Sequence, residues 1–167
     1  MNATLSQPMW HRYVPVALLL IAVTALGSAY TVEFAYSLEP CVLCMYQRIP
    51  FAVIGFLGVL AYLFKGRRAM VVLTALAGIV LLIGAGLASY HVGVEKHWWA
   101  SVASCGGAPD QVLSMEEFQV LLQQEPEKDC SEIDWTFFGI SMATYNAAFS
   151  SVLGLGGLCT AIRLRAT

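Results

Sequence analysis

The chain has 167 residues, enough for one domain, and is 58% hydrophobic but only 12% charged. Soluble domains average roughly 25% charged, which argues against water as the only solvent, and a net charge of −2 without a basic patch argues against nucleic acid as a partner. Four stretches, 13–32, 49–64, 70–90 and 137–162, contain no Asp, Glu, Lys or Arg at all.

The first stretch predicts a transmembrane helix over about 13–32. Crossing a hydrocarbon core roughly 30 Å thick takes about 20 residues at ~1.5 Å each, and the run supplies 20. A cleaved signal peptide is the alternative, because Arg12 precedes the run, but a signal's apolar core ends at about 15 residues. After a connection over 33–44 comes the second span, about 45–64. Its charge-free part has only 16 residues, so the helix is expected to reach back through Cys41-Val-Leu-Cys-Met-Tyr-Gln-Arg48, with one turn at the membrane surface. The third span is expected over about 70–90.

A long connection, 91–139, leads to the fourth span at about 140–162. Within that connection the apolar residues at 112, 115, 118, 121 and 122 share one face at helical spacing. They predict a short helix lying on the membrane surface or packed on the bundle top. The fold class is therefore an all-α membrane protein, a four-transmembrane-helix bundle with a short interfacial helix, forming a single domain over 1–167. Gly55, Gly58, Gly78, Gly84, Gly86, Gly154, Gly156 and Gly157 read as close-packing positions between helices. Asn146 reads as an interhelical hydrogen-bonding group, and Pro15 and Pro50 as residues near helix starts. Trp98, Trp99, Trp135 and Tyr90 sit where interfacial aromatic belts form.

Charge sets the orientation. Arg12, the link Lys65-Gly-Arg-Arg68, Arg163 and Arg165 hold six of the nine basic residues, and all eleven acids lie within 33–48 and 91–136. Basic residues mark the cytoplasmic side, so both termini are expected there and the two longer loops outside. In a bacterial cell that outer side is the periplasm, where disulfides persist.

Four of the five cysteines, Cys41, Cys44, Cys105 and Cys130, fall in or beside those outer loops. The fifth, Cys159, lies in the fourth span and reads as a small buried apolar residue. Cys41-Val-Leu-Cys44 has the spacing of a dithiol–disulfide redox centre, and also of half a zinc site, with His91 and His97 the nearby imidazoles. Cys105 and Cys130 are compatible with a redox pair or with a structural staple. Pro40 favours a helix start, which would bring both sulfurs of the first pair near the positive end of the helix dipole. Arg48, one turn after Cys44, would share its face, lower the thiol's pKa and donate to an acceptor oxygen on a ligand. A thiolate, a cation and a lipid-accessible pocket suit a membrane-dissolved two-electron carrier. No residue set calls for a resident metal.

The segment Glu-Pro-Cys-Val-Leu-Cys-Met-Tyr-Gln-Arg at 39–48, placed before the second of four helices, resembles the signature of the disulfide bond formation protein B (DsbB) family. Cys-Ser-Glu-Ile-Asp-Trp-Thr-Phe-Phe-Gly-Ile-Ser-Met at 130–142 is similar to that family's entry into the fourth helix. Gln47 stands where some members carry an acid, and Ala143 where Pro is frequent. The resemblance implies an inner-membrane protein dithiol:quinone oxidoreductase. Its partner would be a periplasmic thioredoxin-like (DsbA-type) protein and its cofactor ubiquinone or menaquinone from the bilayer. Cys105 would be attacked by the partner, Cys130 would attack Cys41, and Cys44 would face the quinone beside Arg48, with His91 a secondary contact. A loop-stapled binding protein, a metal-handling protein and a reductase running in the opposite direction are the competing classes.

Overall fold

A computed structural model of the chain describes residues 10–64, 66–101, 128–133 and 135–166. Four long helices make up almost all of it: α1 (Trp10–Tyr36), α2 (Val42–Leu63), α3 (Arg67–Glu95) and α4 (Met142–Ala166). Each is long and apolar enough to cross a membrane. The protein is a multi-pass membrane protein, a bundle of four spanning helices. The helices overrun the charge-free stretches because backbone hydrogen bonding continues into the headgroup layer, where charged side chains stay hydrated. Cys105 and the expected surface helix at 112–122 lie outside the described residues.

The fourth helix begins at Met142, because the chain first makes a two-strand turn, β1 (Thr136–Phe137) and β2 (Ile140–Ser141). Thr136 pairs with Ser141 and Phe137 with Ile140. Phe138 and Gly139 between them have φ of 51° and 75°, the double left-handed turn that suits antiparallel strand twist. Ser141 then caps α4. Its Oγ accepts the Thr144 N–H at 3.3 Å and donates to Glu95 Oε2 at 2.6 Å, tying the start of α4 to the end of α3. At the other end of the bundle the Arg67 guanidinium donates to the carbonyls of Leu164 and Arg165, closing the C-terminus of α4.

α2 packs on α1 and α3, and α3 packs extensively on α4, whereas α1 and α4 scarcely meet among the described residues. The bundle is thus open along one seam. Its middle is filled by Leu18, Ala22, Ile54, Leu57, Ala77 and Leu81. α3 and α4 approach until backbone meets backbone: a Cβ on Gly78 would stand 3.0 Å from the Gly154 carbonyl oxygen. Gly86 and Gly156, read from the sequence as packing positions, face open space instead. Pro50 sits inside α2 rather than near its start. Its ring fits against Gly84, where a Cβ would come within 3.1 Å of it.

The outer surface carries large apolar side chains such as Phe34, Phe56, Ile83 and Val152. Cys159 shares that surface and is exposed, not buried as expected. Lipid tails are as apolar as a protein core, so the apolar character of a span does not tell its inner face from its outer one.

Candidate functional site

The site is built on the start of α2. Cys41 is the N-cap residue, with extended backbone (φ −69°, ψ 165°), and the helix begins at Val42. Cys44 therefore falls in the first turn, where unpaired N–H groups concentrate the positive end of the dipole. The two-residue spacing folds the sulfurs together, and the Cys41 thiol donates to Cys44 Sγ at 3.4 Å. That hydrogen bond, followed by burial, pushes the Cys41 thiol up to about 12 from an ordinary 9.0. Cys41 is the sulfur that keeps its proton.

Cys130 is buried against Cys41, Leu43 and Val94. One cysteine of the second pair thus meets the first pair directly, and burial raises its thiol pKa as well. Asp129 beside it is held below its ordinary value by the Ser131 backbone N–H.

α3 continues to Glu95, so His91 lies within the helix rather than at its end, and it is buried. Its Nε2 is 3.7 Å from Cys41 Sγ. The family resemblance makes His91 a secondary quinone contact; its nearest cysteine partner by hydrogen bonding is Cys41. The other ring nitrogen, Nδ1, is 2.6 Å from Gln47 Nε2. Gln47 Oε1 accepts from Asn146 Nδ2 at 2.6 Å, and Asn146 Oδ1 accepts from Ser150 Oγ at 2.9 Å. A chain of four polar side chains thus links α2, α3 and α4 behind the cysteines. Asn146 forms the interhelical bond expected of it. Gln47 and Ser150, both buried, were not singled out from the sequence as parts of a network.

Arg48 shares the Cys44 face, as the one-turn spacing requires, and both line a cavity of about 670 Å³. α1 forms one wall through Thr24, Ser28 and Ala29, and α4 the opposite wall through Phe149 and Leu153, so the cavity fills the open seam of the bundle. Arg48 is also paired across the helices. Its Nη1 is 2.6 Å from Glu33 Oε2 on α1, and its guanidinium lies 4.7 Å from the centre of the Tyr30 ring. The Arg48–Glu33 contact is at ion-pair distance but not aligned as a hydrogen bond, and neither atom has a hydrogen-bond partner among the described residues. The guanidinium has further N–H donors beyond the one that faces Glu33. An acid at the edge of a spanning run is costly unless paired, which was the available signal for Glu33.

Above the site the indole of Trp99 stacks on Tyr90 at 5.8 Å and donates from Nε1 to the Tyr90 carbonyl. It lies on Gly93, where any Cβ would collide with the ring. The donor atoms of Cys41, Cys44 and His91 all lie within 4.8 Å of one another, which is also a geometry that could hold a metal ion.

Comparison with known proteins gives the chain's family. The family model described as disulfide bond formation protein DsbB matches residues 11–160. A disulfide bond formation protein B from Xylella fastidiosa is 36% identical over 143 residues, covering 80% of this chain and 79% of the relative. One from Xanthomonas campestris pv. campestris is 35% identical over 150 residues, with 84% of each chain covered. Another from Marinobacter nauticus is 31% identical over 162 residues, with 93% and 94% covered.

Proposed function

Because this chain belongs to the DsbB family of disulfide bond formation proteins, we propose that it oxidises a periplasmic thioredoxin-like dithiol protein of the DsbA type and delivers the electrons to membrane quinone. One observation carries the reading: Cys44 and Arg48 line a single cavity in the open α1–α4 seam. Its volume is in the range of small-molecule sites, its walls are largely apolar, and the Arg48 guanidinium has N–H donors beyond the one that faces Glu33. Those features fit a flat, oily acceptor with a carbonyl oxygen.

In this reading the quinone, ubiquinone or menaquinone, supplies a two-electron sink and leaves as quinol. The chain's residues do the rest. Cys105 receives the partner's thiolate and forms a mixed disulfide, releasing Cys130. Cys130 attacks Cys41, against which it is packed, and Cys44 leaves as a thiolate at the helix start, where the dipole stabilises it. The partner's second thiolate then expels Cys105 to complete the partner disulfide, and Cys105 attacks Cys130, restoring that bridge and releasing Cys41. Arg48 orients the acceptor's oxygen, and His91 steadies Cys41 while that sulfur changes partners. The balance is two partner thiols plus quinone giving one partner disulfide plus quinol. Cys41, Cys44, Cys105 and Cys130 are thus assigned to catalysis, and Arg48, Cys44 and His91 to quinone contact.

The same reading makes 1–167 a single unit of the bacterial inner membrane, with both termini cytoplasmic and the cysteine-bearing loops periplasmic, as the segregation of basic and acidic residues supports. The test is stoichiometry in purified protein. One quinone is consumed per pair of partner thiols, and Cys44→Ser abolishes turnover. Undiminished quinone reduction by Cys44→Ser would overturn the assignment.

A further inference from the structure

We propose that the dithiol form of this site binds a thiophilic divalent cation of the Zn²⁺ type through Cys41, Cys44 and His91, and that the ion holds the pair out of its redox cycle. The inference takes the cysteine pair to be redox-active, as in the proposed function, but it does not depend on quinone. Its first support is metric. A tetrahedral zinc with Zn–S of about 2.3 Å and Zn–N of about 2.0 Å sets ligand-to-ligand edges of about 3.8 Å between sulfurs and about 3.5 Å from sulfur to nitrogen. The Cys41 and Cys44 sulfurs are 3.4 Å apart, and His91 Nε2 is 3.7 Å from Cys41 Sγ. The third edge is within 4.8 Å. An ion would enter with small adjustments of side chains already in place.

The second support is the shell behind the ligands. A metal-bound imidazole donates its other N–H to a fixed acceptor, which sets the ring's orientation and tautomer. His91 Nδ1 is already engaged by the Gln47 amide at 2.6 Å, and Gln47 in turn by Asn146 and Ser150. A half-turn of both carboxamides exchanges their oxygen and nitrogen atoms. Gln47 Oε1 then accepts from His91 Nδ1–H, Gln47 Nε2 donates to Asn146 Oδ1, and Asn146 Nδ2 donates to Ser150 Oγ. The reversed chain retains each of its hydrogen bonds while freeing the His91 Nε2 lone pair for a metal.

The third support is charge. Two thiolates, one neutral imidazole and a divalent ion sum to zero, and the adjacent Arg48–Glu33 pair is neutral too. A monovalent ion such as Cu⁺ would leave a net negative charge in an apolar cavity, which is costly. Binding breaks two S–H bonds, forms two Zn–S bonds and releases two protons, with no electron transferred. All three ligands line the cavity, so a water there completes the coordination. Cys130, although packed on Cys41, is outside the three-ligand set, and its thiolate would add the charge that the set avoids. A disulfide between Cys41 and Cys44 offers no thiolate, so ion and disulfide exclude one another.

The test uses full-length protein in lipid nanodiscs, reduced with a phosphine that is then removed. Titration with Zn²⁺ by calorimetry, and with Cd²⁺ by its thiolate charge-transfer absorption, should give one ion per dithiol protein and none per Cys41–Cys44 disulfide protein. His91→Ala should weaken binding at least tenfold, Gln47→Leu about tenfold, and Cys130→Ser should leave it unchanged. Equal binding by the disulfide form, no binding at micromolar metal, indifference to His91→Ala, or loss in Cys130→Ser would each overturn the site. The comparison of the two redox forms of the unaltered protein needs no variant to fold. Because these arms contain neither quinone nor thiol partner, their failure would leave the proposed electron route untouched.

Discussion

Replacing Gln47 with Leu should uncouple three helices at once. The side chain is 6% exposed and holds two hydrogen bonds of 2.6 Å, one to His91 of α3 and one from Asn146 of α4. Its loss strands a buried ring nitrogen and a half-buried amide. A stranded buried group costs about 1–3 kcal/mol, whereas interhelical polar bonds in membrane proteins average about 0.6 kcal/mol, because the separated helices find other partners. Between those bounds, two lost bonds amount to about 1–6 kcal/mol. Asn146→Leu breaks the same link from the other side, so the double variant should cost about 0.5–1.5 kcal/mol less than the sum of the singles. Unfolding titrations in mixed detergent micelles measure all four corners of this cycle. Additivity within about 0.3 kcal/mol would mean that the chain carries no coupling and would refute the reasoning.

Cys41 keeps its proton up to about pH 12, so iodoacetamide at neutral pH should label Cys44 well ahead of Cys41. Labelling of Cys41 should rise only far above the ordinary thiol range, as peptide mass spectrometry would show. For Glu33→Gln, the freed Arg48 should bind an acceptor oxygen more readily, lowering the quinone KM about fivefold, equivalent to ~1 kcal/mol; an unchanged or higher KM in steady-state kinetics would contradict competition for the guanidinium. Gly93→Ala places a methyl group inside the Trp99 ring, so the indole must leave Tyr90, and tryptophan emission should shift to the red. Ser141→Ala removes the α4 cap and the link to Glu95, and should cost about 1 kcal/mol in the same unfolding assay.

The architecture was legible because charge is scarce: each charge-free run lies largely within one helix, and the reach of α2 back to the Cys-x-x-Cys followed from the shortness of its run. The Cys44–Arg48 face was legible because helical spacing fixes it locally. What escaped depends on contacts distant in sequence. Gln47 meets His91 44 positions away and Asn146 99 positions away, and periodicity has no means of pairing them. Glu33 on α1 neutralises Arg48 on α2 for the same reason. Cys159 was misjudged because lipid and protein core impose the same apolar composition. The start of α4 was displaced by a turn whose signal, Phe138-Gly139 between Thr136-Phe137 and Ile140-Ser141, is easily read as the beginning of the span.

Light-driven crosslinking with a ring-azido quinone addresses the α1–α4 seam most directly. Saturable labelling of residues 24–33 on α1 and 145–153 on α4, displaced by excess unlabelled quinone, is the predicted pattern. Labels confined to the outward surfaces of α2 and α3, or spread over all four helices without saturation, would contradict it.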